Sequence, residues 1–330
     1  MNYIVFDLEW NQCPYGKDSR VENLPFEIIE FGAVKLNDKL KIIDEFQCYV
    51  KPVVYKELHR ITKDLLQLNM RDLKKGLPFK KAVESFLKWC GKEEYTFCTW
   101  GNMDLIELQR NMVYFGVDYK MPFPLFYYDI QKLFSIKYED GKVRRSLEFG
   151  VLFSKFNVDK RFHSALYDAK YTAEVMMSMD FKSVSSNFSI DTYVIPDNKK
   201  NEISVVYDKY SKYISMGFES KEDLMACKRI FETKCYVCGR VARKKMRWFA
   251  YNTKLYYCLC NCPEHGFMKG RLRIRKDDNG KYYAMKILKL TDDVGVEFIK
   301  SKKEDVKKKR LEKKKREKQA EKEKNMGLDN

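Results

Sequence analysis

The sequence predicts an α/β protein in which three consecutive strands precede strands that alternate with helices. Short runs rich in β-branched and aromatic residues predict strands at 3–8, 26–36, 41–52, 94–100 and 125–130. Apolar residues at helical spacing predict helices at 79–90, 103–115, 146–156 and 164–179. This order indicates a mixed five-stranded sheet flanked by helices, followed by a small β-rich domain with a late strand at 280–290.

Four segments are expected along the chain. A first domain covers 1–182, and the polar stretch after it, which contains Pro196, is interpreted as a linker with a helical segment over 183–230. A cysteine-rich basic domain spans 231–300, and 301–330 is a Lys/Glu-rich tail without a core-forming face. A length of 330 residues with 45% hydrophobic content suits one large and one smaller domain.

Positive charge is concentrated in the C-terminal third of the chain. Residues 1–230 carry 35 Lys/Arg against 33 Asp/Glu, whereas 231–290 carry 15 against 4 and 301–330 carry 13 against 7. Most of the formal net charge of +17 therefore comes from 231–290, and this excess indicates a polyanionic partner.

The first ten residues, MNYIVFDLEW, lack the basic start and apolar core of a signal peptide. No apolar run reaches the about 18 residues that a membrane span needs. We therefore expect a cytoplasmic protein that does not bind a membrane. In that reducing compartment, the ten cysteines are expected to bind metal or to pack as small apolar residues, not to form disulfides.

Acidic residues stand in positions suited to metal binding. Asp7 and Glu9 lie two residues apart at the end of an apolar strand, so both carboxylates project from one face. Adjacent negative charges at the edge of a core are unfavourable unless a cation compensates them, and carboxylate oxygens are preferred ligands of Mg²⁺ and Mn²⁺. The alternative is one solvent-facing acid beside a strand end. Asp104 follows a strand end at Gly101 and Asn102, where an acid is also favoured simply as a helix cap.

A histidine precedes a fourth acid. His163 lies five residues before Asp168, which the pattern places on an Ala-rich helix. A single histidine is more often a packed or surface residue than a catalyst. The chain has only three histidines, however, and this one stands five residues ahead of an acid on an Ala-rich helix.

Taken in order, these segments resemble the DEDDh exonucleases, a family with a ribonuclease H-like fold. The resemblance is carried by FDLEWN (6–11), FEIIEFGAV (26–34), YVKP (49–52), TWGNMDL (99–105), YDIQKLF (128–134), RSLEFGVLFSKF (145–156) and H-x4-D (163–168). It is greatest to the branch that contains the histone-mRNA 3′-exonuclease and the sporulation inhibitor KapD. Two positions depart from the family pattern, because Trp10 replaces a threonine and HRIT (59–62) replaces T-G-I-T.

The resemblance implies a metal-dependent 3′→5′ exonuclease that releases nucleoside 5′-monophosphates from single-stranded 3′ ends, with RNA preferred over DNA. It also implies that two Mg²⁺ or Mn²⁺ ions are held by Asp7, Glu9, Asp104 and Asp168. His163 would then be the general base. The candidate contacts to the terminal nucleotides are Leu8, Trp10, Asn11, Ile61 and Asn102. Trp10 is equally expected as a core aromatic.

A second metal site is predicted in the cysteine-rich domain. C-Y-V-C-G (235–239) and C-P-E-H-G (262–266) have zinc-knuckle spacing, and two such turns supply the four ligands of one structural Zn²⁺. The favoured ligands are Cys235, Cys238, Cys262 and His265, with Cys258 or Cys260 as substitutes. A redox C-x2-C pair is the alternative, but it leaves the second cysteine cluster without a role.

Basic and aromatic residues are interleaved around these cysteines. Arg271, Arg273 and Arg275 are spaced to share one face of a strand, and Arg271 and Arg273 are candidate substrate contacts. Such a surface suits the phosphates and bases of nucleic acid, whereas the alternative is an ordinary solvated face.

Two other functions remain open from the sequence. One is a DNA 3′→5′ exonuclease of repair or proofreading type, and the other is a non-catalytic nucleic-acid-binding protein with a degenerate nuclease domain. The presence of all five catalytic residues disfavours the second.

Overall fold

The computed structural model describes residues 1–66, 69–156 and 162–326. The chain divides into two compact units, Met1–Tyr193 (unit 1) and Val194–Asn330 (unit 2). Among the described residues, no helix combines the length and the apolar character that crossing a membrane requires.

Unit 1 is built on a mixed sheet with the order β3-β2-β1-β4-β5-β6. Its strands are β1 (Asn2–Gln12), β2 (Phe26–Leu36), β3 (Ile42–Tyr49), β4 (Tyr95–Thr99), β5 (Phe126–Asp129) and β6 (Ser189–Ile190). The first three strands are antiparallel to one another, β4 and β5 run parallel to β1, and β6 is antiparallel to β5. The α/β class and the mixed sheet predicted from the sequence are thus confirmed, with one short strand more than the five expected.

Helices cover both faces of this sheet. They are α1 (Arg60–Leu66), α2 (Met70–Leu73), α3 (Phe79–Cys90), α4 (Met103–Tyr114), α5 (Ile130–Tyr138), α6 (Leu147–Phe153), α7 (Ala165–Ser178) and α8 (Phe181–Val184). One face packs Ile4, Phe6 and Leu8 of β1 against α3 and α4. The opposite face packs Val5 against α5, α6 and α7.

The alternation along β1 positions the candidate site. Its even-numbered residues enter the first core, so the odd-numbered residues, including Asp7 and Glu9, share the face of Val5 and α7. Along that face the apolar pattern stops after Val5, and the acids lie where the strand reaches the end of the core.

Unit 2 is a six-stranded antiparallel sheet with the order β7-β8-β12-β11-β10-β9. Its elements are β7 (Ile203–Tyr207), β8 (Tyr210–Ile214), α9 (Lys221–Ala226), β9 (Arg243–Ala250), β10 (Leu255–Cys262), β11 (Gly266–Lys276), β12 (Tyr282–Leu290) and α10 (Asp293–Met326). One face of the sheet forms a core with Leu224 of α9 and Ile230. On the other face, Val296 and Ile299 of α10 pack against Leu259.

The structure differs from the linker predicted over 183–230. Ser189–Ile190 forms β6 of unit 1, and β7 and β8 form a hairpin that completes the sheet of unit 2. The hairpin was missed because its strands are short and half-exposed. Within this stretch, α9 (Lys221–Ala226) is the helical segment between the hairpin and the cysteines. The prediction for the tail covers 301–330, of which 327–330 lie outside the described residues; the rest continues α10 as a charged helix.

Candidate active site

Asp7 and Glu9 occupy consecutive positions on the α7 face of β1. Asp7 is paired with Gly32 of β2, and Glu9 is paired with Glu30. A register shift follows Glu9, so the strand is irregular directly after the two acids. Both side chains are partly buried.

Asp104 reaches the same place from the neighbouring parallel strand. It lies in the first turn of α4, five residues after the end of β4, and is 5% exposed. Its Oδ1 accepts a hydrogen bond of 3.2 Å from the backbone N–H of Leu8, between the two acids of β1. The Leu8 side chain is 2% exposed in the core, so it is not placed to make the contact to a terminal nucleotide that the sequence had suggested.

Asp168 and His163 lie on either side of the start of α7. The backbone N–H of His163 donates to Asp168 Oδ2 at 3.0 Å. His163 has a φ of +71°, a left-handed conformation that is uncommon for a histidine, and its side chain is exposed. Asp168 Oδ1 is buried and has no hydrogen-bond partner among the described residues, which fits the oxygen of a metal ligand.

The structure brings three of the predicted residues into one group of candidate ligands. The ligand atoms of Glu9, His163 and Asp168 all lie within 4.8 Å of one another. Asp7 and Asp104 are electrostatic neighbours of this group, because the charge of Asp104 adds to the raised pKa of Glu9, and the charges of Glu9 and Asp168 add to the raised pKa of Asp7.

Burial raises the pKa of all four carboxyl groups. It raises the pKa of Glu9 to about 9, with the charge of Asp168 adding to the effect. Burial likewise raises the pKa of Asp104 and of Asp168 to about 7, and that of Asp7 well above its usual range. A divalent cation would offset both the free-energy cost of burying these charged carboxylates and their mutual repulsion. The donor set therefore fits such an ion.

The other predicted nucleotide contacts occupy different environments. Trp10 is partly buried with its ring 5.5 Å from that of Phe26, which supports its interpretation as a packed aromatic. Ile61 is 50% exposed in the first turn of α1, and the Thr62 hydroxyl donates to the backbone oxygen of Trp10. Asn102 is exposed and precedes α4 without a side-chain capping bond.

Asn11 has a supporting position. Its side chain is fully buried, and its amide donates to the backbone oxygens of Tyr55 and Glu57 at 3.2 and 2.8 Å. Its Oδ1 accepts from the N–H of His59 at 2.9 Å. Because every polar atom of the side chain holds the 55–59 loop, Asn11 orients the segment that carries Ile61 and is not placed to contact a nucleotide itself.

Sequence reasoning missed two acids of β2. Glu27 accepts hydrogen bonds from the N–H groups of Val53, Val54 and Tyr55 and so fixes the same loop from the other side. Glu30 is 1% exposed beside Glu9. The available signal was the pattern FEIIEFG, in which two acids interrupt a continuous apolar strand where charge is costly to bury.

Unit 2 brings the four favoured zinc ligands together. The ligand atoms of Cys235, Cys238, Cys262 and His265 lie within 4.8 Å of one another. Cys238 Sγ is 3.6 Å from Cys262 Sγ, and His265 Nδ1 is 3.7 Å from the Sγ atoms of Cys235 and Cys262.

The two knuckles have matching backbone turns. Gly239 and Gly266, each directly after the second ligand of its knuckle, have φ values of +72° and +78°, where glycine is favoured. Cys258 and Cys260 are fully buried on β10 and are not part of the four-residue group; Cys260 Sγ instead contacts the backbone oxygen of Met268 at 3.5 Å.

Comparison with known proteins places unit 1 in a family. The family model described as exonuclease, RNase T, matches residues 4–176. Among curated proteins, the probable 3′-5′ exonuclease KapD of Bacillus subtilis is 30% identical over 121 residues, or 37% of this chain and 56% of KapD. ERI1 exoribonuclease 2 of Homo sapiens is 37% identical over 93 residues, or 27% of this chain and 12% of that protein.

One solved structure that resembles the chain is the nuclease domain of 3′hExo, a DEDDh family member, bound to rAMP. It has a TM-score of 0.48 and 23% identity, and the match covers 58% of this chain and 96% of that one. The chain spans about half of KapD and about an eighth of the human protein. The family model alone covers more than half of the chain. The chain therefore belongs to the RNase T family of exonucleases.

Proposed function

We propose that unit 1 is a metal-dependent 3′→5′ exonuclease that removes nucleoside 5′-monophosphates from a free 3′ end. The observation that carries this proposal is the buried group of four carboxyls with raised pKa values, one of which keeps an unpartnered oxygen beside an exposed histidine. Membership of an exonuclease family makes phosphodiester hydrolysis the chemistry to test first.

The residues of the site have two proposed roles, which are metal binding and proton transfer. Asp7, Glu9, Asp104 and Asp168 would hold two Mg²⁺ or Mn²⁺ ions, which when bound supply Lewis-acid stabilisation of charge on the phosphate. His163 is exposed, and as a neutral imidazole it would accept the proton of an attacking water. The backbone N–H of His163 donates to Asp168 Oδ2, so the backbone that carries the proposed base is held beside the proposed ligand.

The proposed substrate is single-stranded RNA. One curated relative is named an exoribonuclease and the other a 3′-5′ exonuclease. These names support RNA as the proposed substrate and degradation from its 3′ end. Ile61 and Asn102 are the exposed candidates to contact the terminal nucleotide, with a hydrophobic surface and an amide respectively.

A matched set of substrates tests this proposal. Single-stranded RNA, single-stranded DNA and an RNA duplex of one sequence, each labelled at the 5′ end, are incubated with Mg²⁺ or Mn²⁺. We expect a ladder that shortens from the 3′ end, release of nucleoside 5′-monophosphates, and fastest turnover of single-stranded RNA. Faster turnover of DNA would favour the repair type of exonuclease, and a lack of turnover of all three would favour a non-catalytic binding protein.

We further propose that unit 2 is a zinc-stabilised nucleic-acid-binding unit. A tetrahedron with metal–sulfur arms of about 2.3 Å has edges of about 3.8 Å, close to the separations in this group. The sulfur–sulfur separation is 3.6 Å and the two sulfur–nitrogen separations are 3.7 Å. Four such ligands complete a closed zinc site, which is typical of a structural ion.

The basic face of unit 2 is the proposed binding surface. Arg271, Arg273 and Arg275 are exposed at alternate positions of β11, about 6.7 Å apart along the strand. Tyr257 and Ile287 are paired with Arg271 from the two neighbouring strands. In the described part of the chain, no ion pair neutralises any of the three arginines, so the row retains its positive charge for phosphates.

A further inference from the structure

Glu30 lies at the centre of a row of side chains on the α7 face of the sheet. It is paired with Glu9 on β1 and with Tyr49 on β3, and it is 1% exposed. Its carboxyl group accepts hydrogen bonds from Gln47 Nε2 at 2.8 Å, from the Ser164 hydroxyl and from the Ala165 N–H. A buried acid is thus joined to the beginning of α7, although it belongs to neither of the candidate metal-ligand groups.

The first turn of α7 depends on this acid for its cap. The first N–H groups of a helix lack partners within the helix, and the residue before it usually supplies one. Ser164 occupies that position but forms no side-chain capping bond to its own helix. Glu30 instead receives both the Ser164 hydroxyl and the Ala165 N–H, and a negative carboxylate is also favourable at the positive end of a helix dipole.

Gly32 allows the strand and the helix to approach closely enough for these bonds. A Cβ atom built on Gly32 would lie 1.9 Å from Leu166 N and 2.0 Å from Ala165 C, so any side chain at this position would displace the helix. Gly32 is paired with Asp7 on the same face. Contact at Gly32 therefore sets the distance between α7 and the strands, and Glu30 sets the position of the helix start along them.

We infer that Glu30 is a positioning residue for the proposed exonuclease reaction, because it fixes the start of α7 and through it both Asp168 and His163. Asp168 lies in the first turn of this helix, and His163 lies two residues before it. The Asp168 carboxylate in turn accepts the His163 N–H, so a shift of the helix start would move the candidate ligand and the candidate base together. This inference rests on the function proposed above for Asp168 and His163.

The experiment compares Glu30→Ala, Glu30→Gln and Gln47→Ala in the full-length protein. Turnover of a short single-stranded RNA is measured with Mg²⁺, together with the Mn²⁺ affinity by titration and the hydrogen exchange of the peptide that spans 163–170. Gln47→Ala is the matched control, because it removes the partner of Glu30 on the side away from α7. Wild type is the reference for full activity, and Asp7→Asn is the reference for an inactive protein.

Glu30→Ala should lower kcat by about 10- to 100-fold, the usual range for losing a residue that orients a ligand, with KM within about twofold. It should also weaken Mn²⁺ binding and speed hydrogen exchange over 163–170. Glu30→Gln should recover most of kcat, since its amide oxygen can accept the Ala165 N–H, and Gln47→Ala should stay close to wild type.

Wild-type kcat and wild-type exchange over 163–170 in Glu30→Ala would overturn the inference. If Glu30→Ala does not fold, Ser164→Ala decides the question, because it removes the hydroxyl that Glu30 accepts and keeps the volume of the site nearly unchanged. Faster hydrogen exchange over 163–170 in this variant would support the inference, and wild-type exchange would overturn it. If wild type is as inactive as Asp7→Asn, the proposed function fails. In that case the exchange of 163–170 still decides whether Glu30 holds the start of α7.

Discussion

Among the described residues, each unit contains one group of candidate metal ligands, and the two groups differ in chemistry and in access. The group in unit 2 consists of three sulfur atoms and one nitrogen atom, and three of the separations between them are close to the edge of a zinc tetrahedron. The group in unit 1 consists mainly of carboxylates, and its histidine is exposed. A closed set of four soft ligands is typical of a structural ion, whereas an open set of oxygens leaves room for a substrate.

The difference also extends to what surrounds each group. Around the carboxylates, the chain supplies backbone donors to Asp104 and Asp168 but leaves Asp168 Oδ1 without a partner among the described residues. Around the thiols, each knuckle ends in a glycine turn, and an ion pair between Arg240 and Glu264 links the two knuckles. This contrast supports the proposals of a reactive site in unit 1 and a structural zinc site in unit 2. Four experiments test it, from the largest expected free energy to the smallest.

Loss of the proposed zinc ion should have the largest effect. Full-length protein should contain one zinc per chain, and Cys235→Ser or Cys262→Ser should lose it and unfold unit 2, since structural zinc binding supplies about 10 kcal/mol or more of apparent free energy. Elemental analysis and hydrogen exchange measure the two outcomes. Cys258→Ala and Cys260→Ala serve as controls that should retain the metal, and zinc loss in either of these would assign the ligands differently.

Removal of a carboxylate should abolish turnover but not folding. Asp7→Ala and Asp168→Ala should lower kcat by about 10⁴-fold or more, the scale for losing one member of a catalytic set. Their thermal stability without metal should hold or rise, because removing one acid relieves repulsion among the others. Asp38→Asn, an exposed turn residue, is the control. Near wild-type turnover, or unfolding of both variants, would show that the acids are structural.

Replacement of His163 distinguishes a base from a ligand. His163→Ala should lower kcat by about 10²- to 10⁴-fold, the usual contribution of a general base, with little change in Mn²⁺ affinity. Added imidazole should restore part of the rate. Because the ring lies within 4.8 Å of ligand atoms of Glu9 and Asp168, a large loss of Mn²⁺ affinity in this variant would instead identify His163 as a ligand.

The arginine row should give the smallest effect. The double variant Arg271→Ala/Arg273→Ala should weaken binding of long RNA and flatten its log–log salt dependence by about 1.4, or about 0.7 for each phosphate that is no longer neutralised. Turnover of short strands should be unchanged. Lys307→Ala/Lys308→Ala removes the same charge from the tail helix and should have less effect, since the tail lacks the fixed spacing of a strand. Equal salt dependence in all three proteins would contradict the proposed surface.

Local patterns in the sequence were sufficient to find the residues that carry chemistry. The acids of β1, Asp104 and the H-x4-D pair were recognisable because each interrupts or ends an apolar element. The four zinc ligands followed from their spacing, and the structure does bring them together. Assignment of roles to all of these residues stays a prediction until the variants are measured.

What could not be predicted depends on contacts between distant elements. Leu8 and Asn11 were candidates for nucleotide contact because of their place beside the acids, but strand alternation and the 55–59 loop bury their side chains. Glu30 acquires its partners only when β2, β3 and α7 are in register. The β7–β8 hairpin is stabilised by pairing with β12, more than 70 residues further along, so its own sequence signal is weak.

The long helix α10 gives unit 2 two electrostatic regimes. Lys309 still lies over the ring of Tyr251, with its Nζ 5.4 Å from the ring centroid. Lys318 lies further out, about 13 Å along the helix axis from Lys309 at 1.5 Å per residue. That distance exceeds the Debye length of about 8 Å at physiological ionic strength. In dilute salt the distal charges and the sheet would therefore attract the proposed nucleic-acid partner jointly. At physiological salt each end of the helix is screened from the other, and each would attract such a partner separately.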